Sequence, residues 1–212
     1  MIRIYLVRHG IAIEPEGGIA DESRWLTGKG RQRFKRLARA FARLGEPLEH
    51  LFSSPLVRAV QTAEILAGTT LHHDVTILEE LRPEGGVGRL LAEIARRVKD
   101  EESVALVGHD PQMSALVAAL GEVPKDRQVD FRKGSIVRID VGALPSARPS
   151  QPRWWLKPKS RELVKGLPVR KTREEKALQK AVNGTARASS AGSDREKPAE
   201  APPAKGRPPG PR

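Results

Sequence analysis

Two histidines and two arginines occupy positions where a fold could converge them on one point: Arg8-His9-Gly10, then Arg58 just past Ser53-Ser54-Pro55, and finally Gly108-His109-Asp110. Arginine presents a rigid fork of donors that matches phosphate oxygens, and a protonated histidine adds a further charged donor. A neutral imidazole inside such a cationic pocket can itself attack phosphorus. Taken singly, each residue has a plainer reading. A histidine after a strand is ordinarily structural or solvated, Arg58 alone reads as a solvated helix residue, and an Arg-His-Gly tripeptide says little. Their joint placement is what points to phosphoryl transfer.

The elements that must position these residues alternate in type. IRIYLV (2–7) is an apolar, β-branched run. LTGKGRQRFKRLARAFARLG (26–45) spaces Phe34, Leu37, Ala38, Phe41 and Leu44 by threes and fours, a helical stripe closed by Gly45. Strands are expected over 49–54, 75–78 and 103–108, with helices over 56–67, 85–98 and 111–120. Two late strands, 135–141 and 153–158, read as a hairpin. The alternation predicts an α/β three-layer αβα sandwich around a mostly parallel central sheet. In such folds ligands bind beyond the carboxyl ends of the strands. Those ends carry the residues named above.

The 212-residue chain has 38 Lys and Arg against 26 Asp and Glu, a formal net charge of +12. It has no cysteine, which excludes a disulfide framework, a thiolate metal site and a cysteine nucleophile. No apolar run approaches the ~20 residues that span a bilayer, and Arg3 and Arg8 fall too early for a signal peptide. No membrane association and a cytoplasmic location are the resulting expectations. Near residue 165 the composition shifts. Residues 166–212 hold 11 Lys/Arg, 5 Asp/Glu and 7 Pro with no aromatic residue, a net +6 over 47 residues. A segment so poor in apolar side chains cannot offset its ordering entropy. The organisation expected is therefore a folded domain over 1–165 and a disordered basic tail over 166–212, with a transient helix over TREEKALQKAV (172–182).

The stretches LVRHG (6–10), LTGKGRQ (26–32), SSPLVRAVQTAEIL (53–66) and VALVGHDP (104–111) come in the order found in the histidine phosphatase superfamily, whose fold is phosphoglycerate mutase-like, and the chain resembles that superfamily over nearly all of 1–158. EELRPEGG (79–86), the closing WWLKPKSREL (154–163) and the lack of long insertions resemble its SixA-type phosphohistidine phosphatases. The resemblance implies that His9 is the nucleophile and carries a phosphohistidine intermediate. It implies that Arg8, Arg58 and His109, with Gly10 beside them, bind the phosphoryl group. It implies neither a metal nor another cofactor. The substrate would be a phosphorylated protein of a phosphorelay or phosphocarrier kind, or else a small phosphate compound.

The general acid is left open. Glu80, in its E-x-x-P setting, is either the proton donor for an ester's leaving group or an ordinary solvated carboxylate beside Glu79. Asp110 reads at least as well as a helix cap. A phosphohistidine relaxes the need, because its imidazole is a far weaker base than an alkoxide. Two further functions stay beside the leading one: a general phosphomonoesterase of the same superfamily, and a non-catalytic phosphate-binding adaptor whose basic tail holds nucleic acid or another acidic partner. A mutase is disfavoured, since no insertion is present to form a lid. The cations Arg31, Arg33, Lys35, Arg36, Arg39 and Arg43 read as the solvated face of an amphipathic helix. His72-His73 lacks a third ligand for a metal, and Gly85-Gly86-Val87-Gly88 reads as a turn into a helix rather than a dinucleotide loop.

Overall fold

The structure, a computed structural model, describes residues 1–15, 18–72, 74–124, 127–145 and 148–170. The tail from 171 onward, with the helix expected over 172–182, lies outside the described residues, as does His73. Strands β1 (Ile2–Arg8), β2 (His50–Ser53), β3 (Thr76–Ile77), β4 (Ser103–Gly108), β5 (Ile136–Val141), β6 (Pro152–Leu156) and β7 (Leu163–Lys165) form one sheet in the order β3-β2-β4-β1-β5-β6-β7. Helices α1 (Gly28–Ala42), α2 (Val57–Thr70), α3 (Val87–Arg97) and α4 (Gln112–Leu120) complete the α/β sandwich.

The pairings β3–β2, β2–β4 and β4–β1 are parallel. Those of β1–β5, β5–β6 and β6–β7 are antiparallel. The sheet is thus parallel in one half and antiparallel in the other, and the parallel half is the half that builds the site. The hairpin of β5 and β6 forms as expected. β7 is an addition, and beyond it Val169 bridges to Val129, so the described chain stays attached to the domain through Arg170.

Strand side chains alternate between two cores. Ile4 and Leu6 of β1 point into the core made with Leu90 and Ile94 of α3 and Met113, Leu116 and Leu120 of α4. Tyr5 and Val7 point the other way, onto Phe34, Leu37 and Phe41 of α1 and Ala59, Ala63 and Leu66 of α2. The i, i+3, i+4, i+7 stripe of α1 is what lies on the sheet, and each fully buried Phe or Leu in it contributes about 1.5–3 kcal/mol. Trp154 is buried against Tyr5, with ring centroids 6.1 Å apart, whereas Trp155 is partly buried against the opposite core.

Register sets the functional edge. Arg8 pairs with Gly108 across β1–β4, and Ser53 pairs with Val107 across β2–β4. The three strands therefore end level with one another, with neighbours about 4.8 Å apart. The residues immediately after them, His9, Ser54 and His109, are brought onto one short line.

Candidate active site

His9 is almost fully buried, and its Nδ1–H donates to the Gly10 carbonyl at 2.7 Å. That bond sets the tautomer and leaves Nε2 with its lone pair. The backbone is fixed as firmly: His9 N–H donates to the Gly108 carbonyl and Gly10 N–H donates to Thr62 Oγ1, each at 3.0 Å. Thr62 Oγ1 in turn donates to the Arg58 carbonyl at 2.6 Å, which ties the loop after β1 to the first turns of α2.

The second imidazole faces the first. The His9 and His109 ring centroids are 5.0 Å apart and tilted by 50°. His109 Nε2 hydrogen-bonds Ser54 Oγ at 2.8 Å. Burial, the neighbouring His109 ring and the cationic Arg58 and Arg8 outweigh the Gly10 carbonyl and push the His9 pKa down to about 3. Burial followed by Arg58 and Arg8 does the same to His109, also to about 3, against the opposing pull of Asp21. Both rings are thus neutral at neutral pH, and a neutral ring is what a nitrogen nucleophile requires.

Arg8 crosses from the end of β1 to donate to the Phe131 carbonyl at 2.5 Å, and it lies 3.6 Å from the Asp110 carboxylate. Arg8 Nε and His109 Nδ1 are buried without a hydrogen-bond partner among the described residues. Such orphaned polar atoms cost about 1–3 kcal/mol each, and a bound oxyanion would relieve the guanidinium's share. Asp110 accepts from Ser114 Oγ at 2.5 Å, while Pro111 occupies the cap position of α4 with no side-chain cap bond. The capping role considered for Asp110 is therefore replaced by a contact one turn into the helix.

Arg58 sits on the first turn of α2 and is buried, with two of its donors already engaged. Its Nη1 donates to the Asp21 carbonyl at 2.6 Å and its Nη2 to Asp21 Oδ2 at 2.8 Å. Asp21 opens a one-turn 3-10 helix, Asp21–Ser23, in the loop between β1 and α1, and Arg24 Nη1 also reaches its Oδ1 at 2.6 Å. Burial works against ionisation of Asp21, but hydrogen bonds from Arg24 and Arg58 prevail and hold the carboxyl below its ordinary value. Sequence reasoning missed Asp21. The local hint was the i, i+3 pair with Arg24; the contact with Arg58 spans 37 residues and belongs to the tertiary fold.

Glu80 lies in a second 3-10 turn, Glu79–Leu81, half-buried, and no side-chain hydrogen bond is made by it among the described residues. Its backbone is pinned: Gln112 Nε2 donates to the Glu80 carbonyl at 2.6 Å and to the Gly85 carbonyl at 2.8 Å. A Cβ at Gly85 would lie 2.1 Å from the Glu80 oxygen, so that turn closes only around glycine. Glu79 is paired instead with Arg82, which also reaches Glu22. No group of three or more His, Cys, Asp or Glu side chains that could hold a metal occurs among the described residues. Nor is any helix among them long and apolar enough to cross a membrane.

Fold and site together are those of an α/β protein with two facing imidazoles set between two arginines. The sequence description of the histidine phosphatase superfamily, branch 1, matches residues 4–89. An uncharacterized protein of a Picosynechococcus species is 34% identical over 143 residues, spanning 67% of this chain and 87% of that one. The structure of the protein histidine phosphatase SixA in complex with tungstate superposes with a TM-score of 0.64 at 25% identity, covering 76% of this chain and 99% of SixA. A putative SixA from Agrobacterium tumefaciens follows with a TM-score of 0.56 at 28% identity, covering 66% and 91%. The chain belongs to the histidine phosphatase superfamily, in its SixA-type branch, and is a phosphatase.

Proposed function

We propose that this phosphatase hydrolyses phosphohistidine on a protein, in the cytoplasm, through a covalent intermediate on His9. His9 Nε2 attacks phosphorus in line as the bond to the substrate's imidazole nitrogen breaks. The leaving imidazole departs as a neutral ring once it carries a proton. Water then attacks the phosphorus on His9, inorganic phosphate leaves, and Nε2 recovers its lone pair. Arg8, Arg58 and His109 hold the non-bridging oxygens through both steps, beside the Gly10 backbone, and stabilise the charge that spreads over them. For Arg58 this means exchanging Asp21 for phosphate oxygen.

The observation that carries this choice of substrate is the state of the carboxylate bonded into the site. Asp21 is held ionised between Arg24 and Arg58 and so has no proton to give. An alkoxide leaving group would need an acid, whereas a phosphorylated imidazole can leave with a proton it already holds. The neighbour solved with tungstate, a tetrahedral oxyanion, is itself a protein histidine phosphatase.

One observation favours a second reading, a general phosphomonoesterase. Glu80 is set rigidly by Gln112 and Gly85, and its carboxyl is unpartnered among the described residues, so it could serve esters as the acid. The deciding assay compares a phosphohistidine peptide with p-nitrophenyl phosphate after chelator treatment, using wild type, His9→Ala and Glu80→Gln. Fast His9-dependent release from the peptide, with slow ester turnover indifferent to Glu80→Gln, is the expected result. Strong ester turnover that Glu80→Gln abolishes would transfer the assignment to the esterase. Phosphate binding without turnover of either compound would make the protein an adaptor.

A further inference from the structure

Helix α1 carries a density of positive charge that its own stability does not explain. Lys29, Arg31, Arg33, Lys35, Arg36 and Arg39 lie along it, Arg43 caps it, and no acidic residue lies anywhere from 28 to 45. The neighbours along its surface are consequently all of like charge: 29 with 33, 31 with 35, 35 with 39 and 39 with 43 at i, i+4, and 33 with 36 and 36 with 39 at i, i+3. Such pairs oppose helix formation. The first turn also places Lys29 and Arg31 at the positive end of the macrodipole, where carboxylates are favoured. None of these side chains makes an ion pair or hydrogen bond among the described residues. Helix α3 behaves in the opposite way, its Arg96 and Arg97 both being paired with Glu93.

The position of this face matters as much as its charge. The helix begins against the nucleophile loop, where Thr27 Oγ1 donates to the Ile11 carbonyl and caps Gly30 N–H. A small groove beside the site is lined by Gly10, Arg33, Phe34, Lys133 and Gly134, so Arg33 and Lys133 stand next to the residue that follows His9. Lys29, Arg33 and Arg36 form an i, i+4, i+7 line along the helix, and its middle member, Arg33, lines this groove. Over 15 residues the helix runs about 22 Å. An extended peptide covers that length with about seven residues.

Resting on the phosphohistidine reading, we infer that this face docks an acidic segment of the phosphorylated protein, laid along α1 with its phosphohistidine entering the site past Gly10. Carboxylates on the partner would supply the counter-charges that the helix lacks, and the line of three cations fixes the direction of approach. A nucleic acid would also be attracted to the charge, but the groove that Arg33 shares with Gly10, the residue after His9, favours the substrate itself.

The test uses two phosphohistidine peptides of equal length, one flanked by Glu and one by Ala, with p-nitrophenyl phosphate as the undocked substrate. Wild type is expected to favour the Glu-flanked peptide in kcat/KM by about tenfold at low salt, an advantage that fades as salt is added. Lys29→Glu/Arg33→Glu/Arg36→Glu should abolish the preference while p-nitrophenyl phosphate turnover is unchanged. The preference should survive Arg89→Glu/Arg96→Glu/Lys99→Glu, a reversal of equal size on and after α3. Retention of the preference in the α1 variant overturns the inference, as does an equal loss in the α3 variant. Duplex DNA binding that the α1 variant loses, with peptide turnover unaltered, assigns the face to nucleic acid and also overturns it. If wild type cleaves only p-nitrophenyl phosphate, the phosphohistidine reading has failed. The docking face is then judged by fluorescence anisotropy with the unphosphorylated Glu-flanked peptide: binding that the α1 variant loses upholds it, and no binding removes it.

Discussion

At the scale of single residues, the two buried imidazoles make stability depend on pH in a defined direction. Folded His9 and His109 titrate near 3, whereas histidines in the unfolded chain titrate near 6.5. As pH falls below about 6.5 the unfolded chain takes up protons that the folded one refuses, so stability declines. Each histidine removes up to about 1.4 kcal/mol of stability per pH unit of acidification until the folded pKa is reached, and removes none above about pH 7. The urea midpoint should therefore fall between pH 6.5 and 4.5, and fall less in His9→Asn. A midpoint constant over that span would contradict the buried neutral state. Asp21 gives a second prediction at this scale. It holds two donors of Arg58 that a phosphate would use, so Asp21→Asn should tighten inhibition by inorganic phosphate by about threefold to tenfold. Weaker inhibition would mean that Asp21 orients Arg58 for the anion instead of competing with it. The gathering of Arg8, His9, Arg58 and His109 was legible in the sequence because each is within a few residues of a strand end. Asp21 was not, because nothing local to it announces a partner on another helix.

At the scale of elements, the close approach of α1 to the loop after β1 depends on one missing side chain. A Cβ on Gly30 would lie 2.0 Å from the Ile11 carbonyl oxygen, whereas a Cβ on Gly28 would meet nothing within 4 Å. Gly30→Ala should consequently lower stability by about 2–4 kcal/mol in urea titrations and reduce turnover by displacing the residues after His9. Gly28→Ala, at the first helical position, should be neutral or slightly stabilising. Equal effects of the two would mean that the packing of α1 against Ile11 is not what holds the loop. The helices and the parallel strands could be read from periodicity, since each buries a continuous stripe or run. β3 shrank from four expected residues to Thr76–Ile77, as befits an edge strand with a partner on one side only. β7 and the turn at Asp21–Ser23 escaped notice because three-residue elements carry no period at all.

At the scale of the whole molecule, the proposed chemistry draws only on residues of the unit Met1–Arg170. Deleting residues 171–212 should leave p-nitrophenyl phosphate turnover unchanged and weaken retention on an acidic polymer such as heparin. Lost turnover would show that the tail takes part in the site. The shift in composition near 165 was visible in the sequence. The bridge from Val169 to Val129 was not, because it depends on a loop that only the finished fold brings alongside. The far end of the sheet, away from the candidate site, was the least legible region. There Arg138 pairs with Glu46 and Asp140, Arg153 joins Asp140, and the Tyr5 hydroxyl donates to Glu46 at 3.2 Å. In the sequence these are five unrelated polar residues. Tyr5 is also the chain's one tyrosine, buried between the β-sheet and α1, with its phenol pushed above its ordinary value by burial and by Glu46. The protein therefore has a built-in optical gauge of its own integrity: in alkaline solution the ultraviolet band of tyrosinate arises from a single known site, and its growth times the opening of the domain.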